Sequence, residues 1–184
     1  MMTHKEKIGL FGKELGLIKD RKIREFVKQV LFYIPDHGFT VAASTTGKYH
    51  LPDENEFLGN VVHARRVVKW VLLMARAYEI TKQRELDILV ASAIIHDLGK
   101  AGFGKKGSIH TLKNHASLMM KPIDKAARDV KLAKTVRDKI KGCVLYHNGM
   151  WTEKAYAKPR RSFTKLEWCL HMADYTTSKM RDLL

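Results

Sequence analysis

Six side chains set the chemical question: His63, the adjacent pair His96 and Asp97, His115, His147 and Asp174. Imidazoles and carboxylates bind divalent metals and move protons. Here they interrupt sequence that is otherwise apolar. The run LDILVASAII leads straight into His96-Asp97, and burying either group without a partner is costly. Taken singly, each residue has an ordinary explanation. A lone histidine on an apolar face is more often a hydrogen-bonded core residue than a ligand. Asp174 alone fits a buried ion pair, and a His-Asp dipeptide arises readily by chance.

The elements that must position these residues are helices. Residues 20–34, 60–79, 82–97, 111–120, 125–147 and 162–182 carry apolar residues at three- and four-residue spacing. Almost no strand pattern competes, so the expected fold is an all-α bundle of about six helices. His63 falls in register with Val67, Val71, Met74 and Tyr78, and His96 shares a face with Leu89, Ser92 and Ala93. His147 continues the row Ala133, Val136, Ile140 and Val144, Asp174 the row Phe163, Leu166 and Leu170, and His115 sits beside Leu118 and Met119. Separate helices thus each turn a ligand-type side chain inward, and those faces must meet in one core. A divalent metal would satisfy all of them together. Between the helices, the prolines at 35, 52, 122 and 159 fall at helix breaks. Residues 35–59 have turn chemistry and no sustained period, as functional or mobile loops do.

The 184 residues suit a single domain with a sizeable core. Thirty-four Lys and Arg against nineteen Asp and Glu leave a net charge of +15. Such a surplus favours phosphate-bearing partners, whether nucleotides, nucleic acid or acidic surfaces, although some proteins are basic for solubility alone. Two cysteines, Cys143 and Cys169, make neither a Cys-x-x-Cys pair nor a disulfide framework. A reducing, cytoplasmic setting is expected, with no membrane span and no signal peptide.

The order His63, His96-Asp97, then a distant Asp174, all on helices, resembles the HD-domain superfamily of metal-dependent phosphohydrolases. AIIHDLGK looks like that family's central motif, GNVVHARRVVKWV like the segment around its first histidine, and LEWCLHMADYTTSK like its closing Ala-Asp motif. The lead-in AASTTGKYHLPDENEFLG is similar to that of some members, with Gly59 alone where a glycine pair is usual. The resemblance covers about residues 40–180, leaving 1–39 as an N-terminal helix and lead-in to one HD-type domain over 1–184.

That resemblance implies four ligands, His63, His96, Asp97 and Asp174, around one metal. His115 and His147 stand where members with two metals have their extra histidines. The implied centre is therefore dinuclear, with Asp97, His115 and His147 around the second ion and Asp97 as the bridge. A single ion on the first four is the alternative. The metal is a divalent transition ion, any of Fe, Mn, Zn, Co or Ni. His110 and His171 compete for ligand roles, but the family pattern places no ligand there. Asp97 would also orient or deprotonate the attacking water.

The implied reaction is hydrolysis of a phosphate ester or anhydride of a nucleotide. Lys100, one turn beyond the pair, is the cation suited to charge on the phosphoryl oxygens, and Arg66 is a second. Ser44, Thr46, Lys48, Tyr49 and His50 offer hydroxyls, a cation and an aromatic ring in one irregular segment. It is no Walker A loop, because eight residues separate Gly38 from Gly47 and Tyr49 replaces the required hydroxyl residue. Lys105, in a glycine-rich loop, and Trp151, as a stacking ring, complete the expected substrate contacts. The alternatives are a nuclease acting on single-stranded nucleic-acid ends and a non-catalytic nucleotide-binding or signalling domain. Oligomeric state is not expressed in the sequence.

Overall fold

The computed structural model describes residues 1–44 and 50–179. Ten α-helices and three short 3-10 turns lie among these residues, with no strand, so the fold is all-α. The helices are α1 (His4–Gly9), α2 (Gly12–Leu17), α3 (Arg21–Tyr33), α4 (His37–Thr40), α5 (Gly59–Ala77), α6 (Gln83–Ile95), α7 (His115–Leu118), α8 (Met120–Asp129), α9 (Lys134–Tyr146) and α10 (Lys165–Lys179).

The organising element is α6. Every residue from Ile88 to Ile95 is buried, as is Asp87. A helix apolar all round must be enclosed, and α2, α3, α5, α9 and α10 surround it. The others are two-faced. Helix α3 buries Ile23, Phe26, Val27, Val30 and Leu31, each worth about 1.5–3 kcal/mol when fully removed from water. Its start is fixed twice. Asp20 caps the Lys22 and Ile23 amides, and buried Asp87 accepts from the Lys19 and Asp20 amides at 3.0 and 2.8 Å.

Three features differ from the sequence expectation. The stretch before α3 contains two more helices. Thr3 and Glu6 form a reciprocal capping box on α1, and Phe11, Leu15 and Ile18 join the main core. The expected helix over 125–147 is two, because the chain reverses at Lys131, whose φ is +51°. Pro122 lies inside the first turn of α8 rather than at a break. That position is harmless, since the first amides of a helix have no partner within it.

Residues 35–44 and 50–59 are pinned against the central motif. Ala43 donates to the Glu54 carbonyl at 2.7 Å, and Asn60 donates to the Val41 carbonyl at 2.9 Å. The buried Asn60 amide reaches the Gly38 and Asp97 carbonyls at 2.9 and 3.1 Å. No helix among the described residues is long and apolar enough to cross a membrane.

Candidate metal centre

His96 and Asp97 form the turn where α6 ends, with His96 as its C-cap. His147 is the C-cap of α9. Both helices therefore direct the negative end of their dipole at one place, which favours a cation there. His63 comes from the second turn of α5, Asp174 from α10 and His115 from the start of α7. Gly99 makes the last approach possible, since a Cβ there would lie 2.8 Å from the His115 carbonyl oxygen.

The ring orientations are set by the main chain. His96 Nδ1 lies 2.8 Å from the Ala93 carbonyl, His115 Nδ1 2.7 Å from Leu112 and His147 Nδ1 2.6 Å from Val144. A carbonyl only accepts, so each Nδ1 carries the proton and donates. In the neutral ring each Nε2 then presents its lone pair inward. His115 Nε2 also accepts from Asn148 Nδ2 at 3.1 Å, consistent with that tautomer.

What those lone pairs face is carboxylate. Asp97 Oδ2 lies 3.2 Å from His96 Nε2 and 3.6 Å from His63 Nε2. Asp174 Oδ1 lies 3.0 and 3.6 Å from the nitrogens of His63 and His96. The other oxygen of Asp97 is 3.2 Å from Nε2 of both His115 and His147. The donors thus fall into two groups that share Asp97, one for each of its oxygens: His63, His96, Asp97 and Asp174, and Asp97, His115 and His147. His96 Nε2 and Asp97 Oδ1 are buried with no hydrogen-bond partner. Such orphaned acceptors fit a cation, and imidazole with carboxylate is the donor set of a divalent transition metal.

Protonation follows the same logic. Burial pulls the His96 imidazole down, but the charges of Asp97 and Asp174 outweigh it and push its pKa up to about 10. Burial lowers His147. Burial alone would raise Asp97 and Asp174, yet the surrounding cations and imidazole donors hold both well below the usual carboxylate range. Without a metal, neighbouring rings must divide protons among two carboxylates.

A cavity of about 350 Å³ opens on this centre, with His50, Lys100, His147, Trp151, Asp174 and Tyr175 in its wall. Lys100 Nζ touches Asp97 Oδ2 at 2.6 Å and donates to the Ala43 carbonyl at 2.7 Å, so these two partners leave one of its three protons unclaimed. Of the other expected substrate contacts, His50 and Trp151 line this cavity, and Ser44 lines a neighbouring one that shares Lys100. Thr46, Lys48 and Tyr49 lie outside the described residues.

Two expected contacts are not brought to the centre. Lys105 is exposed and borders a separate cavity beside the N-terminus. Arg66 is turned the other way, bonded to both oxygens of Asp53 at 2.9 and 2.6 Å and to Glu54 at 2.7 Å. Its charge serves Glu54, a residue that looks in sequence like one of several loop acids in PDENE. Glu54 is fully buried, and its Oε2 accepts from His50 Nδ1 at 2.6 Å and from His63 Nδ1 at 3.3 Å. Nothing local marked it out, because its burial depends on the α5 packing. His171, read as a non-ligand, donates from Nδ1 to the His147 carbonyl at 2.7 Å. His110 is exposed.

No curated protein and no solved structure compared with the chain gave a significant match. The family model of the HD domain matches residues 60–179, a span that holds all six metal-type side chains and well over half of the sequence. With that match joined to a helical bundle whose His-Asp turn gathers the other donors, the chain belongs to the HD domain family.

Proposed function

We propose that the protein is a hydrolase of phosphate ester or anhydride bonds in nucleotides, working with two divalent metal ions that Asp97 bridges. The observation that carries this reading is the division of donors between the two oxygens of Asp97, one group on each. His63, His96 and Asp174 would complete one ion's protein ligands, and His115 and His147 the other's. Divalent metal at such a site supplies Lewis acidity and lowers the pKa of water toward ~7.

The chain's own residues account for the rest. Lys100 faces the cavity beside Asp97 and would neutralise charge that builds on the phosphoryl oxygens. Asp97 would orient the attacking water. The water gives up one proton as its oxygen forms the new bond to phosphorus, the bond from phosphorus to the ester or anhydride oxygen breaks, and that leaving oxygen takes up a proton in exchange. Trp151 offers a ring on which a base can stack. His50 and, in the neighbouring segment, Ser44, Thr46, Lys48 and Tyr49 remain the proposed contacts for the rest of the substrate. The cavity volume of about 350 Å³ lies at the small end of ligand sites, which supports a substrate of about one nucleotide.

The test is metal content per chain by elemental analysis, followed by a nucleotide hydrolysis screen with iron, manganese, zinc, cobalt and nickel. About two ions per chain are expected. Asp97→Ala should abolish turnover and metal loading, whereas His171→Ala should keep most of both. Equal loss in the two variants, or a loaded protein that leaves every nucleotide intact, would overturn the proposal.

A further inference from the structure

The cavity beside the metal-type donors does not end in bare solvent. Its rim carries Trp151, 67% exposed, and Tyr175, 42% exposed, both on the wall itself. Neighbouring exposed apolar groups on a cavity rim mark a place where a ligand or partner can sit. Met150 (67% exposed) stands just before Trp151, and the chain beyond it carries Lys154, Tyr156 (45% exposed), Arg160 and Arg161.

This segment is held in place rather than loose. Gly149, at φ +58°, lets the chain cross directly over the His171 ring, where a Cβ would lie 2.4 Å from Cε1. Farther on, Lys158 lies 4.1 Å from the centre of the Tyr146 ring and bonds Glu167 at 2.8 Å. Phe163 packs against Trp168 and Tyr146. The segment is therefore anchored on α10 at its two ends, at His171 and at Glu167, and between them Glu153 accepts from Ser117 of α7. From Asp174 to Lys165, α10 itself runs about 14 Å at 1.5 Å per residue.

Lys158 is spent on this anchoring. Lys154, Arg160, Arg161 and Lys165 are exposed and have no carboxylate partner among the described residues. Some cations elsewhere on the surface are paired: Lys139 with Glu85, Lys141 with Asp124 and Arg137 with Asp138. Unpaired cations interleaved with exposed rings, and leading from a phosphate-cleaving centre, make a surface for a chain of phosphates and bases. An acidic protein surface would use the cations but has no need of the rings. The cavity has room for about one nucleotide, so further nucleotides must lie outside it.

We propose that this strip binds the end of a single-stranded nucleic acid, with the terminal nucleotide in the cavity and the following phosphates over Lys154, Arg160 and Arg161. The proposal rests on the phosphohydrolase reading for the direction in which the strand points, and its test separates the two.

The experiment measures binding of thymidine monophosphate and of a ten-residue oligothymidylate with phosphorothioate linkages to the metal-loaded protein, across a salt series. The oligonucleotide should bind at least about tenfold more tightly, with a steep salt dependence. The double variant Arg160→Glu/Arg161→Glu should lose at least about tenfold in oligonucleotide affinity while holding the monophosphate within about twofold. Its metal content and melting temperature should match the parent. Equal affinity for the two ligands, or a double variant that binds the oligonucleotide as before, would overturn the strip. So would tighter binding to vesicles of anionic lipid than to the oligonucleotide. Length-dependent binding without hydrolysis of any nucleotide would keep the strip and remove the hydrolase. Hydrolysis of free nucleotides without length dependence would do the reverse.

Discussion

Among the four metal-type histidines, His63 alone turns Nδ1 to a carboxylate instead of a main-chain carbonyl. That carboxylate, Glu54, also accepts from His50 and Arg66. A carboxylate behind a ligand histidine fixes its tautomer and raises its basicity. Glu54→Gln should therefore weaken metal binding about 10- to 100-fold, measured by competition against a fluorescent chelator. Unchanged affinity would leave Glu54 a structural residue only. A pH signature accompanies this. Burial alone would push Glu54 up, but hydrogen bonds from His50, His63 and Arg66 hold it well below its ordinary 4.5. A carboxyl depressed on folding adds stability above its unfolded value and loses it as pH falls through the folded one. The parent should exceed the Gln variant by about 1–3 kcal/mol in urea at pH 7, and the gap should narrow below about pH 4. A constant gap would mean that the charge is not the stabilising feature.

At the scale of elements, the turn between α8 and α9 shows how packing overrides local preference. Leu132 donates to the Ala127 carbonyl at 2.9 Å and Lys131 to Arg128 at 3.1 Å, the paired bonds of a Schellman motif. The left-handed position that glycine favours is occupied by Lys131. A residue with a Cβ costs about 1–2 kcal/mol in that conformation. Lys131→Gly should stabilise the protein by about 0.5–1 kcal/mol net of the chain entropy that glycine adds. The thermal midpoint reads it, with an expected rise of about 1–4 °C; a fall would show that the Lys131 stem contributes packing. Sequence could not mark this break. Lys131, Lys134, Asp138 and Lys141 recur at helical spacing with no glycine or proline between them. The reversal exists because Val130 and Leu132 pack on the core while α8 lies on α3 and α9 lies on α6.

For the whole molecule, the consequence is that folding assembles a cluster of donors that could hold a cation. Its donors come from α5, the turn after α6, α7, the end of α9 and α10, and His63 meets Asp174 across 111 positions of chain. Metal should therefore bind the native state far better than the unfolded one and raise its stability by mass action, about 2.7 kcal/mol at a hundred times the dissociation constant. Differential scanning calorimetry with manganese, then with chelator, measures this. A midpoint that ignores both would deny a metal role to the cluster.

The sequence by itself determined the helical class, the inward register of His63, His147 and Asp174, and the family. Those depend on helical period and on residue type, which are local properties. Only the tertiary structure decided which oxygen of Asp97 faces which histidines, that Arg66 serves Glu54 rather than the cavity, and that Lys105 lies apart. Each of those outcomes turns on how helix ends meet, and a side chain's partner there is chosen by packing angles between elements far apart in the chain.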